Sequence, residues 1–248
     1  TQFGFSQQSL PPNLSMSLGT SSLTPMSIAR GYAVFANGGF RIDPWFIDRV
    51  LDRDGVVLSQ AAPPRACRGC PGREAGEQRA TTVVDGFDFG AQAPVEEPVA
   101  DAPGTVVAEP VAVPEGPLVL APRAIDERTA FLVRSLMKDV VKRGTATAAR
   151  VLEREDIGGK TGSTNDYRDA WFSGFGGDLV TTVWVGKDDF NPLGRGEYGG
   201  RAALPIWIGY MRAALDGVPV QEPEVPAGIV VASVDAGSGR IVPEGTPG

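Results

Sequence analysis

Between residues 157 and 177 the chain reads IGGKTGSTNDYRDAWFSGFGG. One cation, Lys160, is followed closely by three hydroxyls, Thr161, Ser163 and Thr164, on backbone thinned by Gly158, Gly159 and Gly162. If the run is extended, alternate side chains share a face, so Lys160 and Gly162 point one way and Thr161 and Ser163 the other. Gly162 then lets a ligand lie close to the backbone. An exposed edge of this kind can accept a peptide-like molecule as an added strand. A backbone N–H on it can donate to a developing oxyanion, while the lysine and hydroxyls can grip a carboxylate.

Such a run needs elements to hold it. The stretch LTPMSIARGYAVFANGG predicts a helix: Thr24 suits the N-cap, Pro25 the first helical position, and Gly38 and Gly39 stop it. PWFIDRVLDRDGVVLSQ alternates around Asp54-Gly55 and reads as a hairpin. Residues 126–143 form a second helix, with Leu132, Val133, Leu136, Val140 and Val141 facing a core and Gly144 as its end. GKTGS, AWFSGFG and the β-branched LVTTVWVGKDD read as consecutive strands. AALPIWIGYMRAALDG is a helix ended by Gly217, and GIVVASVDAGSGRIV a final strand and turn. Trp171, Phe172 and Trp184 read as core. Asp166, Arg168 and Asp169 read as a turn with local ion pairs in preference to substrate contacts. For Glu197, Tyr198, Gly199 and Gly200, a place on the rim of a cleft and a plain loop stand level. The order fits an α+β fold, a mainly antiparallel sheet flanked by helices.

The segment 61–122 holds ten of the 21 prolines and no periodicity, so it reads as a flexible insertion. The expected division is 1–60 (helix and hairpin), 61–122 (Pro-rich acidic insertion), 123–222 (the part bearing Lys160) and 223–248 (strand and tail).

With 248 residues, 42% of them hydrophobic, the chain can bury one sizeable core, with or without an appendage. No apolar run approaches the roughly 18 to 20 residues of a membrane span. The net charge of −7 is local: residues 80–122 carry seven acids and no Lys or Arg. The remainder is balanced and has no basic stripe for phosphates, which argues against a nucleic-acid partner. The absence of histidine removes Ser-His-Asp and Cys-His nucleophiles and most metal sites, so no metal and no cofactor is expected. Cys67 and Cys70, as CRGC in Pro/Gly-rich sequence, read as a short structural disulfide or idle thiols in preference to a redox pair; zinc would lack two further ligands. The chain opens Thr1-Gln2-Phe3 without methionine or signal peptide, which reads as a processed start or a piece of something longer.

GKTGSTND, DAWFSGF and VWVGKDD are similar to the third active-site motif and following strands of penicillin-recognising enzymes. FGF with LPPNLSMSLGTSSLTPMSIARGYAVFANGGFRIDPWFI, LMKDVVKRGTATAA and EYGGRAALPIWIGYM resemble the transpeptidase domain of class A penicillin-binding proteins, of the 1A kind in Gram-negative bacteria. The resemblance implies part of a serine β-lactamase/DD-peptidase-like domain. In it Lys160 and Ser163 carry catalytic roles: the lysine supplies positive potential to nucleophile and substrate carboxylate, and Ser163 lends its backbone N–H to the oxyanion hole. Thr161, Gly162, Ser163 and Thr164 line the substrate, with Thr161 and Ser163 on the carboxylate of a terminal D-alanine or a β-lactam. The family usually has threonine where this chain has Ser163; the hydroxyl is kept. Peptidoglycan stem peptides and β-lactam antibiotics are the implied ligands, and lipoprotein or other cell-wall regulators the implied partners. The implied setting is a glycosyltransferase/transpeptidase on the periplasmic face of the inner membrane, anchored only through an N-terminal part.

The same family requires a serine nucleophile in S-x-x-K and then an S-x-N motif. Ser135-Leu136-Met137-Lys138 and Ser163-Thr164-Asn165 match those spellings. Ser135, however, falls mid-helix on the face of Arg128, Asp139 and Lys142, and the second match overlaps the lysine motif, so neither is accepted. In the family the FGF…LPPN block lies downstream of both motifs. The expectation is therefore that the chain begins after its own nucleophile and forms one wall of a cleft without turnover. A β-lactamase or carboxypeptidase relative, and a silent module that binds cell-wall peptides, stand as alternatives.

Overall fold

The computed structural model describes residues 2–67, 83–84, 87–88, 119–235 and 237–243. Two short 3-10 turns, Gln7–Ser9 and Leu14–Leu18, lead into α1 (Pro25–Ala36) and the strands β1 (Arg49–Leu51) and β2 (Val57–Gln60). The two-residue strands β3 (Val83–Val84) and β4 (Phe87–Asp88) follow, and then α2 (Glu127–Arg143) and a 3-10 turn at Thr147–Leu152. The strands β5 (Gly158–Ser163), β6 (Asp169–Gly176) and β7 (Leu179–Gly186) precede α3 (Gly199–Ala202) and α4 (Leu204–Ala214). All strand pairs are antiparallel: β1 with β2, β3 with β4, and a three-stranded sheet in the order β5-β6-β7. The architecture is α+β, a meander covered by helices.

The helix ends follow from their sequences. The Thr24 hydroxyl accepts the Ser27 N–H at 3.2 Å, capping α1, and Pro25 opens it. Gly38 and Gly39 take positive φ, and the Gly39 N–H returns to the Val34 carbonyl at 2.7 Å, closing the last turn. Asp126 caps α2 by accepting the Arg128 N–H at 2.9 Å; Lys142 and Arg143 sit at its carbonyl end, where the helix dipole favours cations.

The buried stripe of α2 differs from the expected one. Ala130, Arg134 and Val141 are buried, while Leu132 and Leu136 are 51% and 65% exposed. Two residues turn a helix by roughly 200°, so these leucines lie nearly opposite Ala130 and Arg134. The helix is set by its arginine. Arg134 places its guanidinium 4.5 Å from the Phe175 ring centroid and donates to the Ala36 carbonyl at 3.0 Å and the Gln221 carbonyl at 3.4 Å.

The core lies between one face of the sheet and α4. Ala170 and Phe172 of β6 meet Leu204, Trp207 and Met211, which recur at helical spacing on α4. Phe172 and Trp207 meet edge to face, centroids 4.9 Å apart, and the indole N–H finds the Thr181 carbonyl at 3.1 Å. Val141, Ala146 and Ile157 extend this cluster to the end of α2 and the approach to β5.

The β1–β2 hairpin forms as expected around Asp52 and Gly55, with Asp52 Oδ1 accepting the N–H groups of Asp54 and Val56, both at 2.8 Å. The ends of the proline-rich segment meet in a bridge between Arg65 and Leu120; apart from β3 and β4 its interior, Cys70 included, lies outside the described residues. Cys67 is disulfide-bonded. Among the described residues of 223–243 there is no strand, only a bridge from Val234 to Ile241.

Asp156, fully buried just before β5, ties the sheet to the segment after α4. Its oxygens accept from Arg154 Nε at 3.0 Å and Nη2 at 2.8 Å, and from the N–H groups of Gly177 and Gln221, both at 3.0 Å. Burial alone pushes this carboxyl up; the Arg154 guanidinium and the two N–H groups outweigh it and hold the pKa below the ordinary carboxylate range. Replacing Asp156 by alanine strands these donors, and denaturant titration is expected to show a loss of about 3–5 kcal/mol. Because the folded pKa is depressed, the stabilisation is complete above the unfolded value of about 3.9 and fades as pH falls through the folded one. Wild-type and variant curves should therefore converge as the pH drops below about 4.

Candidate functional site

The lysine-hydroxyl run forms β5, and the strand order leaves it at the edge of its sheet. Its register on β6 pairs Lys160 with Ser173, Thr161 with Phe172, Gly162 with Trp171 and Ser163 with Ala170. The Thr164 N–H reaches the Asp169 carbonyl at 3.1 Å, which sets the phase of the ladder. Counting back by alternation, Ser163 and Thr161 fall in non-hydrogen-bonded pairs, so their N–H and C=O groups point away from β6 to the open edge. Lys160 and Ser163 are exposed and Thr161 half-buried.

The cation does not stay on its own side. Lys160 Nζ curls around the strand, donating to the Thr161 carbonyl at 2.8 Å and standing 3.4 Å from the Thr161 hydroxyl. Thr161 Oγ1 shares a hydrogen bond of 2.7 Å with the Thr145 hydroxyl. Ser163 Oγ accepts the Gly199 N–H at 2.9 Å. A hydroxyl has one proton and two acceptor positions, so Ser163 keeps its proton for another acceptor. Lys160, Thr161 and Ser163 thus converge along one edge, with outward backbone groups between them.

Thr164 is differently engaged. Its hydroxyl accepts the N–H groups of Asp169 at 2.7 Å and Arg168 at 3.1 Å, building the turn that joins β5 to β6. Asp166 and Tyr167, both with positive φ, form the tip of this turn. Arg168 donates to the Phe190 carbonyl at 2.6 Å and stands 3.9 Å from Asp166, so this charged cluster serves the turn. Asp169 accepts the Trp184 indole N–H at 2.8 Å. Of the three aromatics expected in the core, Phe172 is buried and Trp171 half-buried, but Trp184 is 39% exposed. It pairs with Trp171 beside Gly162, on the face of the sheet opposite α4.

Ser135 is exposed on α2, and the Lys138 ammonium is bound to Glu222. Sequence reasoning missed Thr145, which follows the helix-ending Gly144 and carries no spacing signal. It left Gly199 undecided; the neighbouring glycines 199 and 200 were the available sign that something packs close there.

An α+β domain whose antiparallel meander presents a Lys-Thr-Gly-Ser edge strand defines the class. The chain belongs to the penicillin-binding protein transpeptidase domain family, whose model matches residues 5–176. It is 46% identical over its full length to penicillin-binding protein 1A of Pseudomonas aeruginosa and 37% identical over 97% of its length to that of Escherichia coli K12. The crystal structure of penicillin-binding protein 1A from Haemophilus influenzae superposes on 99% of the chain with a TM-score of 0.78 at 34% identity. The chain spans 29%, 31% and 34% of these three proteins, in that order.

Replacing Thr164 by valine removes the acceptor for two turn amides. Amide hydrogen exchange at Arg168 and Asp169 is expected to quicken, with a stability loss of about 1–3 kcal/mol, while exchange along Gly158–Gly162 stays unchanged.

Proposed function

We propose that residues 1–248 form the carboxylate-binding wall of a peptidoglycan DD-transpeptidase, within a polypeptide that is also a glycosyltransferase. The observation that carries this is the outward phase of Thr161 and Ser163 on an edge strand that also bears Lys160. The stem peptide adds to β5 as a further strand. Its terminal D-alanine carboxylate meets the charge of Lys160 and the hydroxyls of Thr161 and Ser163. The carbonyl of the scissile bond receives the Ser163 N–H as one donor of the oxyanion hole. Thr164 contributes by holding the turn, and Gly162 by leaving the backbone open.

The nucleophilic serine comes from outside residues 1–248. Its oxygen bonds to the penultimate D-alanine carbonyl carbon, the terminal D-alanine leaves as an amine with the serine proton, and an ester remains. The amine of a second stem then attacks that ester, forming the cross-link and returning the proton to serine. A β-lactam follows the first step and stays. The Cys67 disulfide supports an oxidising compartment, hence the periplasmic face of the inner membrane. No helix among the described residues is long and apolar enough to cross a membrane, and attachment is assigned to the rest of the polypeptide. Lipoprotein or other cell-wall regulators are further partners of this reading.

A fluorescent penicillin distinguishes these assignments. Residues 1–248 alone should form no stable adduct, and the whole polypeptide should label. Lys160→Ala in the whole polypeptide should slow labelling by about 10²–10³-fold, the range for loss of a preorganised electrostatic group. Covalent labelling of any serine within 1–248, Ser135 above all, would overturn the proposal.

A further inference from the structure

We infer that Gly199 is a positioning residue for the Ser163 hydroxyl, biasing that hydroxyl towards donating to an anionic ligand group. The inference rests on the carboxylate-binding role proposed above for Ser163. Gly199 stands 36 residues beyond Ser163, outside the segment matched by the family model, yet it is buried against β5. A Cβ built on it would lie 2.3 Å from the Trp171 carbonyl oxygen and 2.5 Å from that of Gly162. No side chain fits there, so the backbone of residue 199 rests directly on the Gly162–Trp171 pair. This close approach brings its N–H within 2.9 Å of Ser163 Oγ.

The chemistry follows from hydroxyl valence. A free serine hydroxyl rotates and can accept as readily as donate. With one lone pair held by an N–H, its proton is steered away from Gly199, towards the open edge. An acceptor there, such as a carboxylate oxygen, can take that proton, while a ligand donor has one lone pair left instead of two, so the anion is favoured. Gly200 also packs close to the site: its Cβ position lies 3.2 Å from the Thr145 carbonyl oxygen, and the Thr145 hydroxyl shares a hydrogen bond with that of Thr161.

The test uses the whole polypeptide, with acylation rates for benzylpenicillin and for its methyl ester, which lacks the anion. Ser163→Ala should lose benzylpenicillin acylation selectively, and Ser163→Thr should retain it. Gly199→Ala should slow benzylpenicillin by about 10- to 100-fold, as for a lost hydrogen bond to a charged group, and the ester by no more than about 3-fold. In the double variant Gly199→Ala/Ser163→Ala, the loss should equal that of Ser163→Ala alone. Equal losses on both ligands, or additive losses in the double variant, would show a merely structural role and overturn the inference. Absence of selectivity in Ser163→Ala would instead overturn the carboxylate reading itself. Should Gly199→Ala fail to fold, glycolate at position 199 removes the N–H without adding atoms. The same selective loss is then expected, and a wild-type rate overturns the inference.

Discussion

β5 can offer one edge because the other is held without side chains of its own. A Cβ on Gly158 would lie 2.5 Å from the Phe175 ring, and one on Gly159 2.7 Å from the Phe172 ring. The two aromatic rings of β6 therefore lie over the start of β5 from opposite faces, as strand alternation requires. Glycine in a strand loses more backbone entropy than alanine, by roughly 0.5–1 kcal/mol each. Burial of Phe172 and Phe175, about 1.5–3 kcal/mol apiece, offsets it. Aromatic cover thus replaces local side-chain packing, and the strand reaches its lysine already fixed in register.

Two charged side chains carry this rigidity outward, and both meet the peptide groups of Gln221. Asp156 accepts its N–H and Arg134 donates to its carbonyl. Arg134 also covers Phe175 and holds the last carbonyl of α1; Asp156 holds Gly177 in the turn between β6 and β7. Among the described residues the segment after α4 has no strand of its own and is anchored by polar groups instead. Arg154 reinforces this through the Val218 carbonyl at 2.6 Å. In surroundings of low polarity such bonds are strong when complete and costly when broken, which favours one arrangement over a set of near alternatives.

Local signals were legible in the sequence, long-range ones were not. Thr24-Pro25 and Gly38-Gly39 bounded α1, and three strands followed in order from glycine, aromatic and β-branched runs. The edge position of β5 agreed with its bare, polar composition. The face of α2 was misread because Leu132 and Leu136 outweigh Arg134 on any hydrophobic scale, whereas the ring of Phe175 and two carbonyls make the arginine the buried residue. Trp184 was misread because a tryptophan on a strand is ordinarily covered; here its N–H is taken by Asp169 and its ring lies at the surface. Thr145 and Gly199 reach the site by contacts 16 and 36 residues apart in sequence, and no periodicity records such distances.

The resting position of Lys160 has a consequence for how a ligand would enter. Its ammonium occupies the Thr161 carbonyl, one of the outward acceptors of the edge. A peptide adding to β5 as a strand needs that carbonyl for its own N–H. Lysine and ligand would therefore share one oxygen, and a ligand N–H there would loosen its hold on the cation. The Thr161 hydroxyl is 3.4 Å from Nζ, so a small rotation of a flexible four-carbon stem moves the charge from the backbone acceptor to the hydroxyl row. A ligand that brings both an N–H and a carboxylate serves both groups: the carbonyl gains a donor and the ammonium gains an anion. A ligand with the carboxylate alone leaves the lysine divided between the two. In the reading proposed above, the edge would favour a peptide terminus through this shared acceptor.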